Sequence, residues 1–305
     1  MRTVHVLMSS YNGEKYIREQ LDSLLAQKNV EVYVTIRDDG SKDQTRAIIE
    51  EYIRQYRNVS LWEASNIGAE KSFSELCSYV LQNGEVADYY AFCDQDDVWF
   101  DNKLDQAVKK LDLFDKNSPN LYFSNLKCVD EKLTPLGMFF NRGEVNISKE
   151  YSFLQSYCYG CTCVFNRKAL EYYCLKKGDF LHDYWIEIVC MYLGNVVYDN
   201  ESYILYRQHS NNLSGGKRNR LQIIKTRVNK LFNNRFRNDF QKMAIEMLSL
   251  FEHLLSKDDI EILTCFANYS HSFKAKAKLL LYKRYQAKDL LKNMSIKYRI
   301  LINKW

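Results

Sequence analysis

The sequence has few residues that interrupt secondary structure and no run long enough to cross a membrane. Its 305 residues include only 2 Pro and 11 Gly, fewer than disordered or low-complexity chains contain. No stretch reaches the roughly 18 consecutive apolar residues that indicate a transmembrane helix. Because 46% of the residues are hydrophobic, we expect one large or two ordinary globular domains.

The cysteines lack a disulfide or zinc pattern. There are 9, an odd number, and they lie in apolar segments, which is typical of buried thiols in a reducing compartment. Cys158, Cys161 and Cys163 include a Cys-x-x-Cys spacing, but no second such pair or His pair accompanies it. Packing or the lining of a substrate site is therefore favoured for this group. No signal-peptide core follows Met1, so we expect a cytosolic protein.

Strand and helix patterns alternate in the first hundred residues. Short β-branched and apolar runs predict four strands, at residues 3–8, 30–36, 59–64 and 89–93. Periodic apolar positions predict three helices between them, at residues 14–28, 43–56 and 69–82. This alternation is typical of a parallel sheet with crossover helices.

The pattern continues and then changes near Gly216. Leu104 and Val108 belong to a periodic apolar helix face, and three lysines are expected on its solvated face, namely Lys103, Lys109 and Lys110. Further strands are predicted at residues 121–129, 161–165, 196–198 and 203–206. After Gly216 the chain is rich in Lys and Arg with interleaved apolar residues and has no strand pattern. The sequence therefore predicts a basic helical extension.

Polar residues follow each of the first four predicted strands, at 9–12, 38–41, 65–68 and 94–97. In parallel sheets, ligands bind beyond the carboxyl ends of the strands. The last of these segments, Asp94-Gln95-Asp96-Asp97, places three carboxylates within four positions. Like charges this close are costly near an apolar core, so the cluster indicates either a bound cation or an acidic helix cap.

Four motifs, taken in order, resemble the family 2 glycosyltransferases, which have the nucleotide-sugar-binding fold called GT-A. They are Met8-Ser9-Ser10-Tyr11-Asn12-Gly13, Arg37-Asp38-Asp39-Gly40-Ser41, Asp94-Gln95-Asp96-Asp97-Val98-Trp99, and His182-Asp183-Tyr184-Trp185 followed by Tyr206-Arg207-Gln208-His209. The resemblance is nearest to bacterial rhamnosyltransferase-like members of polysaccharide biosynthesis. It implies an α/β GT-A catalytic domain at residues 1–216, with a mostly parallel sheet flanked by helices, and a helical extension at residues 217–305.

The resemblance also implies roles for particular residues. Mn²⁺ or Mg²⁺ would be held by the metal-site residues Asp96, Asp97 and His209, with Asp96 as the principal ligand. The nucleotide-sugar would contact Ser9, Tyr11, Asp39, Asn66, Lys71, Asp94 and Arg207. Among these, Tyr11 would stack on the base and Asp39 would accept a hydrogen bond from N3–H of uracil or thymine. The division of roles among the three acidic residues of the motif stays open.

Asp183 is the candidate catalytic base. An inverting transfer needs an ionised carboxylate near the attacking hydroxyl group of the acceptor. Asp183 also directly precedes a predicted helix, where Asp is a good N-cap. The two interpretations are compatible, because a helix N-terminus stabilises a carboxylate.

The function that the resemblance implies is inverting, metal-dependent sugar transfer, plausibly of L-rhamnose from dTDP-rhamnose, although a UDP-sugar is also open. The acceptor would be a growing glycan linked to polyprenyl diphosphate at the inner face of the cell membrane, with no nucleic-acid partner. The basic extension would either contact anionic lipid or only pack on the catalytic domain. Two alternatives are another metal-dependent phosphoryl-transfer or hydrolytic enzyme, and a basic nucleic-acid-binding α/β protein.

Overall fold

The computed structural model describes residues 1–83, 86–209, 239–287 and 290–305, and a nine-stranded sheet lies at its centre. The strands are β1 (Arg2–Ser10), β2 (Val30–Asp38), β3 (Val59–Glu63), β4 (Tyr89–Cys93), β5 (Val98–Trp99), β6 (Asn120–Val129), β7 (Pro135–Met138), β8 (Val164–Asn166) and β9 (Asn195–Arg207). Their order is β3-β2-β1-β4-β8-β6-β9-β5, and β7 pairs with β6.

Most strands of this sheet run in one direction. Strands β1 to β4 are parallel, and β6 and β9 are parallel to each other. The short strand β8 lies between β4 and β6 and is antiparallel to both, so all six of these longer strands point the same way. Strands β5 and β7 pair antiparallel at the margins. The predicted α/β architecture is therefore confirmed.

Helices flank the sheet and make up the C-terminal part. The first seven are α1 (Ile17–Leu25), α2 (Thr45–Gln55), α3 (Ala69–Asn83), α4 (Lys103–Leu111), α5 (Lys149–Ser152), α6 (Arg167–Tyr173) and α7 (His182–Leu193). The described C-terminal helices are α8 (Asp239–Phe251), α9 (Lys257–Asn268), α10 (Phe273–Leu281) and α11 (Leu290–Leu301). No helix among the described residues is long and apolar enough to cross a membrane.

Several local predictions differ from the structure. The strand predicted at 161–165 is a 3₁₀ helix, Gly160–Thr162, followed by β8. The two strands predicted near the end of the sheet are one strand, β9, because a bulge opposite Ser124 accommodates two extra polar residues. Strands β5 and β7 were not predicted, since two to four residues carry little periodic signal. The predicted boundary at residues 216 and 217 lies outside the described residues.

The prediction for Lys103 was wrong. Its side chain is 1% exposed, whereas Lys109 and Lys110 are exposed as expected. The ammonium nitrogen of Lys103 lies 3.4 Å from the centre of the Trp99 ring. A cation–π contact replaces part of the lost hydration of this ammonium group. Helix periodicity could not show this, because Trp99 lies outside the helix.

Alternate residues of the central strands enter two hydrophobic cores on opposite sides of the sheet. Val4, Val6 and Met8 of β1 face helices α1, α2 and α4, while Leu7 faces the second core. The second core contains residues of α3, α6 and α7 and also of the C-terminal helices, including Met247. The C-terminal helices therefore pack on the α/β domain and share its core.

Trp305 fixes the C-terminal helices to this second core. Its ring stacks on Phe240 with the ring centres 5.0 Å apart. Its indole Nε1–H donates to the carbonyl oxygen of Phe153 at 3.0 Å. The Tyr269 hydroxyl donates to the Trp305 carbonyl oxygen at 2.9 Å, and the Trp305 backbone N–H reaches the same hydroxyl at 2.8 Å. The Trp305 ring is thus packed in the core, and its Nε1–H, backbone N–H and carbonyl groups all have hydrogen-bond partners.

We expect Trp305→Ala to lower the free energy of unfolding by about 3 kcal/mol, because it removes a buried aromatic ring and leaves a cavity. Trp305→Phe keeps a six-membered ring for the stack on Phe240 but loses the fused five-membered ring and its Nε1–H donor, so its cost should be smaller, about 2 kcal/mol. Urea unfolding of the purified chain measures both values. An equal effect of the two substitutions would contradict the packing described for the ring.

Candidate active site

The loops that follow the central parallel strands meet at one edge of the sheet. Ser10 of β1 pairs in register with Asp38 of β2, and Met8 pairs with Cys93 of β4. The residues that come next in each chain segment therefore lie side by side beyond the strands. Several residues singled out in the sequence follow or end these strands, namely Ser9, Tyr11, Asp39, Asp94, Asp96 and Asp97.

The first loop is held by hydrogen bonds to the second. The Asn12 backbone N–H donates to Ser41 Oγ at 2.9 Å, and the Lys42 backbone N–H donates to Asn12 Oδ1 at 2.9 Å. Asn12 has φ +49°, a left-handed conformation that Asn tolerates better than most residues. These bonds leave the Tyr11 ring 43% exposed. A large aromatic face is therefore available to a ligand at this edge.

Gln95 joins the acidic motif to the first loop, a role that sequence reasoning missed. Its Oε1 accepts the Tyr11 backbone N–H at 2.8 Å, and its Nε2–H donates to the Tyr11 carbonyl oxygen at 3.0 Å. A Cβ on Gly13 would lie only 2.3 Å from Oε1, so the glycine leaves room for the amide. The amide side chain thus makes the two hydrogen bonds that the backbone of a neighbouring β-strand would make, and so it fixes the backbone of Tyr11. Its only sequence signal was its place between acidic residues.

Asp39 is buried beneath the third loop. Its carboxylate accepts the backbone N–H groups of Ile67 at 3.0 Å and Gly68 at 2.9 Å, and it pairs with the Arg37 guanidinium. These donors hold the third loop against the second. A base that contacts Asp39 would have to share or displace them.

Ser9, Asn66 and Lys71 differ in how accessible they are. Ser9 Oγ–H donates to Ser72 Oγ at 2.7 Å, so it is engaged within the protein. Asn66 is exposed. Lys71 Nζ lies 3.3 Å from Asp179 Oδ2, and both side chains are more than half exposed. Such an exposed pair is weak, which leaves the ammonium group able to reorient toward a ligand.

The acidic motif contacts the end of β9 at two points. Asp96 Oδ2 lies 2.8 Å from His209 Nε2. Asp97 is fully buried, and its Oδ1 accepts the Arg207 backbone N–H at 3.0 Å. Its Oδ2 has no hydrogen-bond partner among the described residues. Of the three residues predicted as metal ligands, the structure therefore brings Asp96 and His209 into contact, whereas the carboxylate of Asp97 is grouped with Asp94 and Cys161.

Cys161 lies beside the same carboxylates. One ligand atom from each of Asp94, Asp97 and Cys161 lies within 4.8 Å of the other two. Burial, together with Asp96 and Asp183, raises the pKa of Asp94 to about 7. Burial and the neighbouring carboxylates also raise the pKa of Asp97 well above its usual range. The 3₁₀ helix Gly160–Thr162 places the Cys161 thiol beside these carboxylates. The sequence had predicted a strand at this position.

Lys103 supplies a positive charge beneath this cluster. Burial lowers the pKa of its ammonium group to about 8, and the neighbouring Cys93, Cys161 and Asp97 side chains partly oppose that shift. Its Nζ has no hydrogen-bond partner among the described residues. A fixed cation in a site of low polarity offsets part of the repulsion among the carboxylates. This electrostatic role was not predicted from the sequence.

The donor atoms fit a divalent cation. Carboxylate oxygens and an imidazole nitrogen suit Mn²⁺, and carboxylate oxygens suit Mg²⁺. The Asp97 Oδ2 atom is buried and unpaired among the described residues, which is costly unless another group completes its coordination. Asp96 and His209 already lie within hydrogen-bond distance of each other. The residues present therefore fit the cation that the sequence implied.

Arg207 connects the acidic motif to two other segments of the chain. Its guanidinium is 1% exposed, and it donates through Nε to the Asp96 carbonyl oxygen at 2.8 Å and through Nη1 to the Glu131 carbonyl oxygen at 2.6 Å. It also pairs with Glu19 and packs on the Tyr16 ring. The predicted contact with phosphates does not fit this placement, because the guanidinium faces protein atoms. Its role in the structure is to position the acidic motif.

Asp183 lies in the first turn of α7. Its Oδ1 accepts the Tyr184 backbone N–H at 2.8 Å. Burial raises the pKa of Asp183 to about 6, while hydrogen bonds from the backbone oppose the shift. The helix begins at His182, two residues earlier than predicted, and Leu181 is its N-cap residue, so Asp183 is not the cap. The charge of Asp183 also contributes to the raised pKa of Asp94.

His182, which precedes Asp183 in the chain, is a neutral imidazole packed against aromatic rings. It stacks on Phe73 with ring centres 4.1 Å apart and meets Phe92 edge-on. Burial lowers the pKa of His182 to about 3, so the ring does not carry charge near neutral pH. A Cβ on Gly160 would lie 2.2 Å from His182 Nε2. The imidazole therefore packs directly against the 3₁₀ helix that carries Cys161.

Comparison with known families identifies the class of this protein. The model for glycosyl transferase family 2 matches residues 5–174, more than half of the chain. The chain belongs to this family and is a glycosyltransferase. This result removes the alternative of a non-catalytic nucleic-acid-binding module.

Individual relatives support the same assignment. A dTDP-rhamnosyl transferase of Shigella flexneri, RfbG, is 32% identical over 223 residues, which cover 68% of this chain and 73% of that protein. An uncharacterized glycosyltransferase of Rickettsia typhi is 27% identical over 232 residues, covering 72% of this chain and 68% of that protein. The predicted resemblance to family 2, with a rhamnosyltransferase among the relatives, is therefore confirmed.

Solved structures share the fold. The crystal structure of residues 1–349 of TarS from S. aureus has a TM-score of 0.58 at 19% identity, covering 100% of this chain and 81% of that one. The same protein in complex with UDP-GlcNAc has a TM-score of 0.57 at 17% identity, covering 100% of this chain and 93% of that one. At this identity the likeness concerns the fold, and it confirms the GT-A prediction.

We expect Arg207→Lys to lower the free energy of unfolding by about 2 kcal/mol, because lysine cannot reproduce the fork of hydrogen bonds to two carbonyl oxygens. The acidic motif should also bind Mn²⁺ less tightly, measured by calorimetry. The matched control is Arg18→Lys on α1, whose guanidinium pairs with Glu51 but is half exposed; its effect should stay within about 0.5 kcal/mol. Equal effects at both positions would contradict the positioning role.

Proposed function

We propose that this chain is an inverting, metal-dependent glycosyltransferase that transfers L-rhamnose from dTDP-L-rhamnose to a growing cell-surface glycan. The observation that carries the proposal is the meeting of the acidic motif and α7 at one edge of the sheet: Cys161 lies within 4.8 Å of Asp94 and Asp97, and His182 packs against the adjacent Gly160. Support for the donor comes from the dTDP-rhamnosyl transferase relative. The shared fold of the UDP-GlcNAc complex also supports a nucleotide-sugar.

The donor would lie across the loops that follow β1 to β4. The exposed Tyr11 ring offers its face to the base, and Asp39 lies at the end of the neighbouring strand for contact with N3–H. Asp94 is assigned to the nucleotide or its ribose. Asn66 and Lys71, at the exposed rim, are assigned to the sugar and the diphosphate. Ser9 would contribute its hydroxyl group to donor binding after its hydrogen bond to Ser72 is replaced by one to the donor.

The cation site would use Asp96, Asp97 and His209, with Cys161 as a neighbouring thiol. A bound Mn²⁺ or Mg²⁺ neutralises the negative charge on a departing diphosphate. The chain's own contribution is to hold these ligands together. Arg207 fixes the backbone of the motif, and the buried Lys103 charge lowers the repulsion among the carboxylates.

Asp183 would act as the base. It takes the proton of the acceptor hydroxyl group as that oxygen forms a bond to the anomeric carbon. The bond from that carbon to the diphosphate oxygen breaks on the opposite face, and the nucleoside diphosphate leaves with the electron pair. A carboxylate whose pKa burial has raised is a stronger base than one in water, and remains ionised near neutral pH.

The acceptor is proposed to be a glycan linked to polyprenyl diphosphate at the cytoplasmic face of the membrane. Residues 1–216 would form the catalytic domain, and residues 217–305 would form an extension that brings this domain to the membrane. The described C-terminal helices share a core with α7, which carries Asp183. The extension is therefore close to the side on which an acceptor must approach.

The proposal is tested by incubating the chain with a panel of dTDP- and UDP-sugars and Mn²⁺. We expect slow release of the nucleoside diphosphate from dTDP-L-rhamnose, and its loss when EDTA removes the cation. Chromatography of the nucleotide products measures both. Absence of binding and of release across the whole panel would contradict the proposal, and faster release from a UDP-sugar would reassign the donor.

Asp183→Asn should keep donor binding and reduce transfer by at least about 10²-fold, because the amide cannot accept the proton. For the unsubstituted chain, kcat/KM should fall as the pH drops below about 6, where Asp183 becomes protonated. The matched control is Glu187→Gln, one turn along the same helix. Burial raises the pKa of Glu187 to about 8, so it is neutral near pH 7 and the amide preserves its shape. Transfer by Asp183→Asn at the original rate would place the base elsewhere.

A further inference from the structure

The last helix, α11, exposes an apolar face. At 100° per residue, its large exposed apolar side chains fall within an arc of about 120°. They are Leu290, Leu291, Met294, Tyr298 and Leu301, followed by Ile302 just beyond the helix, with exposed fractions between 38% and 72%. Ile296 and Ile300 lie on the opposite side and are buried. We refer to the six exposed residues as the apolar arc.

An arc of this kind is unusual on a folded protein. Single exposed apolar residues are common, but a row of them along one helix face usually marks a surface that another partner covers. The helix is not loosely attached, because Ile296, Ile300 and the adjacent Trp305 are buried in the second core. The arc is therefore held outward by packing on the other side of the helix.

Positive charge is concentrated around the arc. Residues 272–305 contain ten Lys and Arg and one Asp, a net charge of +9, whereas the whole chain has a net charge of +5. The other 271 residues therefore carry a net charge of −4. On the helical projection Lys297 borders the arc on one side, and Lys304 follows it in the chain and is exposed. Lys283, in the 3₁₀ helix that precedes α11 in the chain, is also exposed.

We propose that the apolar arc of α11 inserts into the interfacial region of a membrane that contains anionic lipid, with the surrounding lysines at the headgroups. An amphipathic helix with an apolar arc and basic flanks suits such an interface. A second copy of the chain is disfavoured, because two surfaces of the same strong positive charge repel each other. No described helix can span the bilayer, so this contact lies at its surface.

The position of the helix links this surface to the candidate active site. Trp305, which follows α11, stacks on Phe240, and the Phe240 ring centre is 5.7 Å from that of Tyr184. Tyr184 is the residue next to Asp183. The membrane-binding helix and the candidate base thus belong to one packed unit. The inference deepens the proposed function, because it rests on an acceptor that is attached to lipid.

The experiment compares binding of the full chain to phosphatidylcholine vesicles with and without phosphatidylglycerol. We expect binding only to vesicles with phosphatidylglycerol, and weaker binding as salt screens the lysines. Leu291→Glu with Met294→Glu should reduce this binding at least about tenfold, because charged side chains enter the interface poorly. The control is Leu113→Glu, which changes an even more exposed leucine outside the C-terminal helices and should leave binding unchanged.

Charge is tested separately by Lys283→Glu with Lys297→Glu, which should also reduce vesicle binding at least about tenfold. Its control is Lys110→Glu with Lys132→Glu, which makes the same change in net charge at exposed sites of the catalytic domain. An equal loss in the control pair would show that overall charge, and not this surface, drives binding. That outcome would overturn the inference.

Two further measurements separate the alternatives. Light scattering reports the oligomeric state, and a dimer that Leu291→Glu with Met294→Glu dissociates would assign the arc to a second copy and overturn the inference. Donor hydrolysis in detergent-free buffer reports the active site and should be unchanged in all these variants. If no nucleotide-sugar is turned over while vesicle binding depends on the arc, the inference stands and the proposed function fails.

Discussion

The arrangement of the candidate site depends on one buried guanidinium. Arg207 is almost completely removed from water, and a buried cation is stable only when its hydrogen bonds are satisfied. Its partners come from three separate segments: the Asp96 carbonyl oxygen, the Glu131 carbonyl oxygen and the Glu19 carboxylate. Because each of these partners accepts a hydrogen bond from the same buried guanidinium, the acidic motif, the loop after β6 and helix α1 are held together.

Around this point the structure accumulates negative charge near an apolar core. Asp94 and Asp97 have raised pKa values because both are shielded from water, Asp97 completely and Asp94 in part, and lie near other carboxylates. Such an arrangement is unfavourable for folding and is typical of functional sites. Lys103 offsets part of the repulsion from inside the protein. A divalent cation brought with the donor diphosphate would offset more of it, so ligand binding and the stability of this edge are coupled.

The sequence was sufficient for the features that depend on local order. Alternating strands and helices predicted the sheet, and the polar strand ends predicted where the site would be. Features that depend on distant contacts were missed. Lys103 was expected in solvent because its partner, the Trp99 ring, is outside the helix pattern. The contact of Gln95 was missed, because it arises only when Tyr11 is brought beside it. Packing or the lining of a substrate site was expected for Cys161, but its spacing did not indicate which carboxylates it would lie beside. Arg207 was assigned to a ligand, since a motif does not reveal which way a side chain faces.

The buried position of Asp183 has a consequence for repeated turnover. In the proposed mechanism, each transfer would deposit one proton on this carboxyl group, and a base that kept the proton would be unable to begin another cycle. With a pKa of about 6, this carboxyl group is ionised in about ten molecules for each one in which it is protonated near neutral pH. Regeneration therefore needs no second acid–base residue, only brief contact with water after the glycan departs. The burial that raises this pKa would thus strengthen the base without keeping it protonated between cycles.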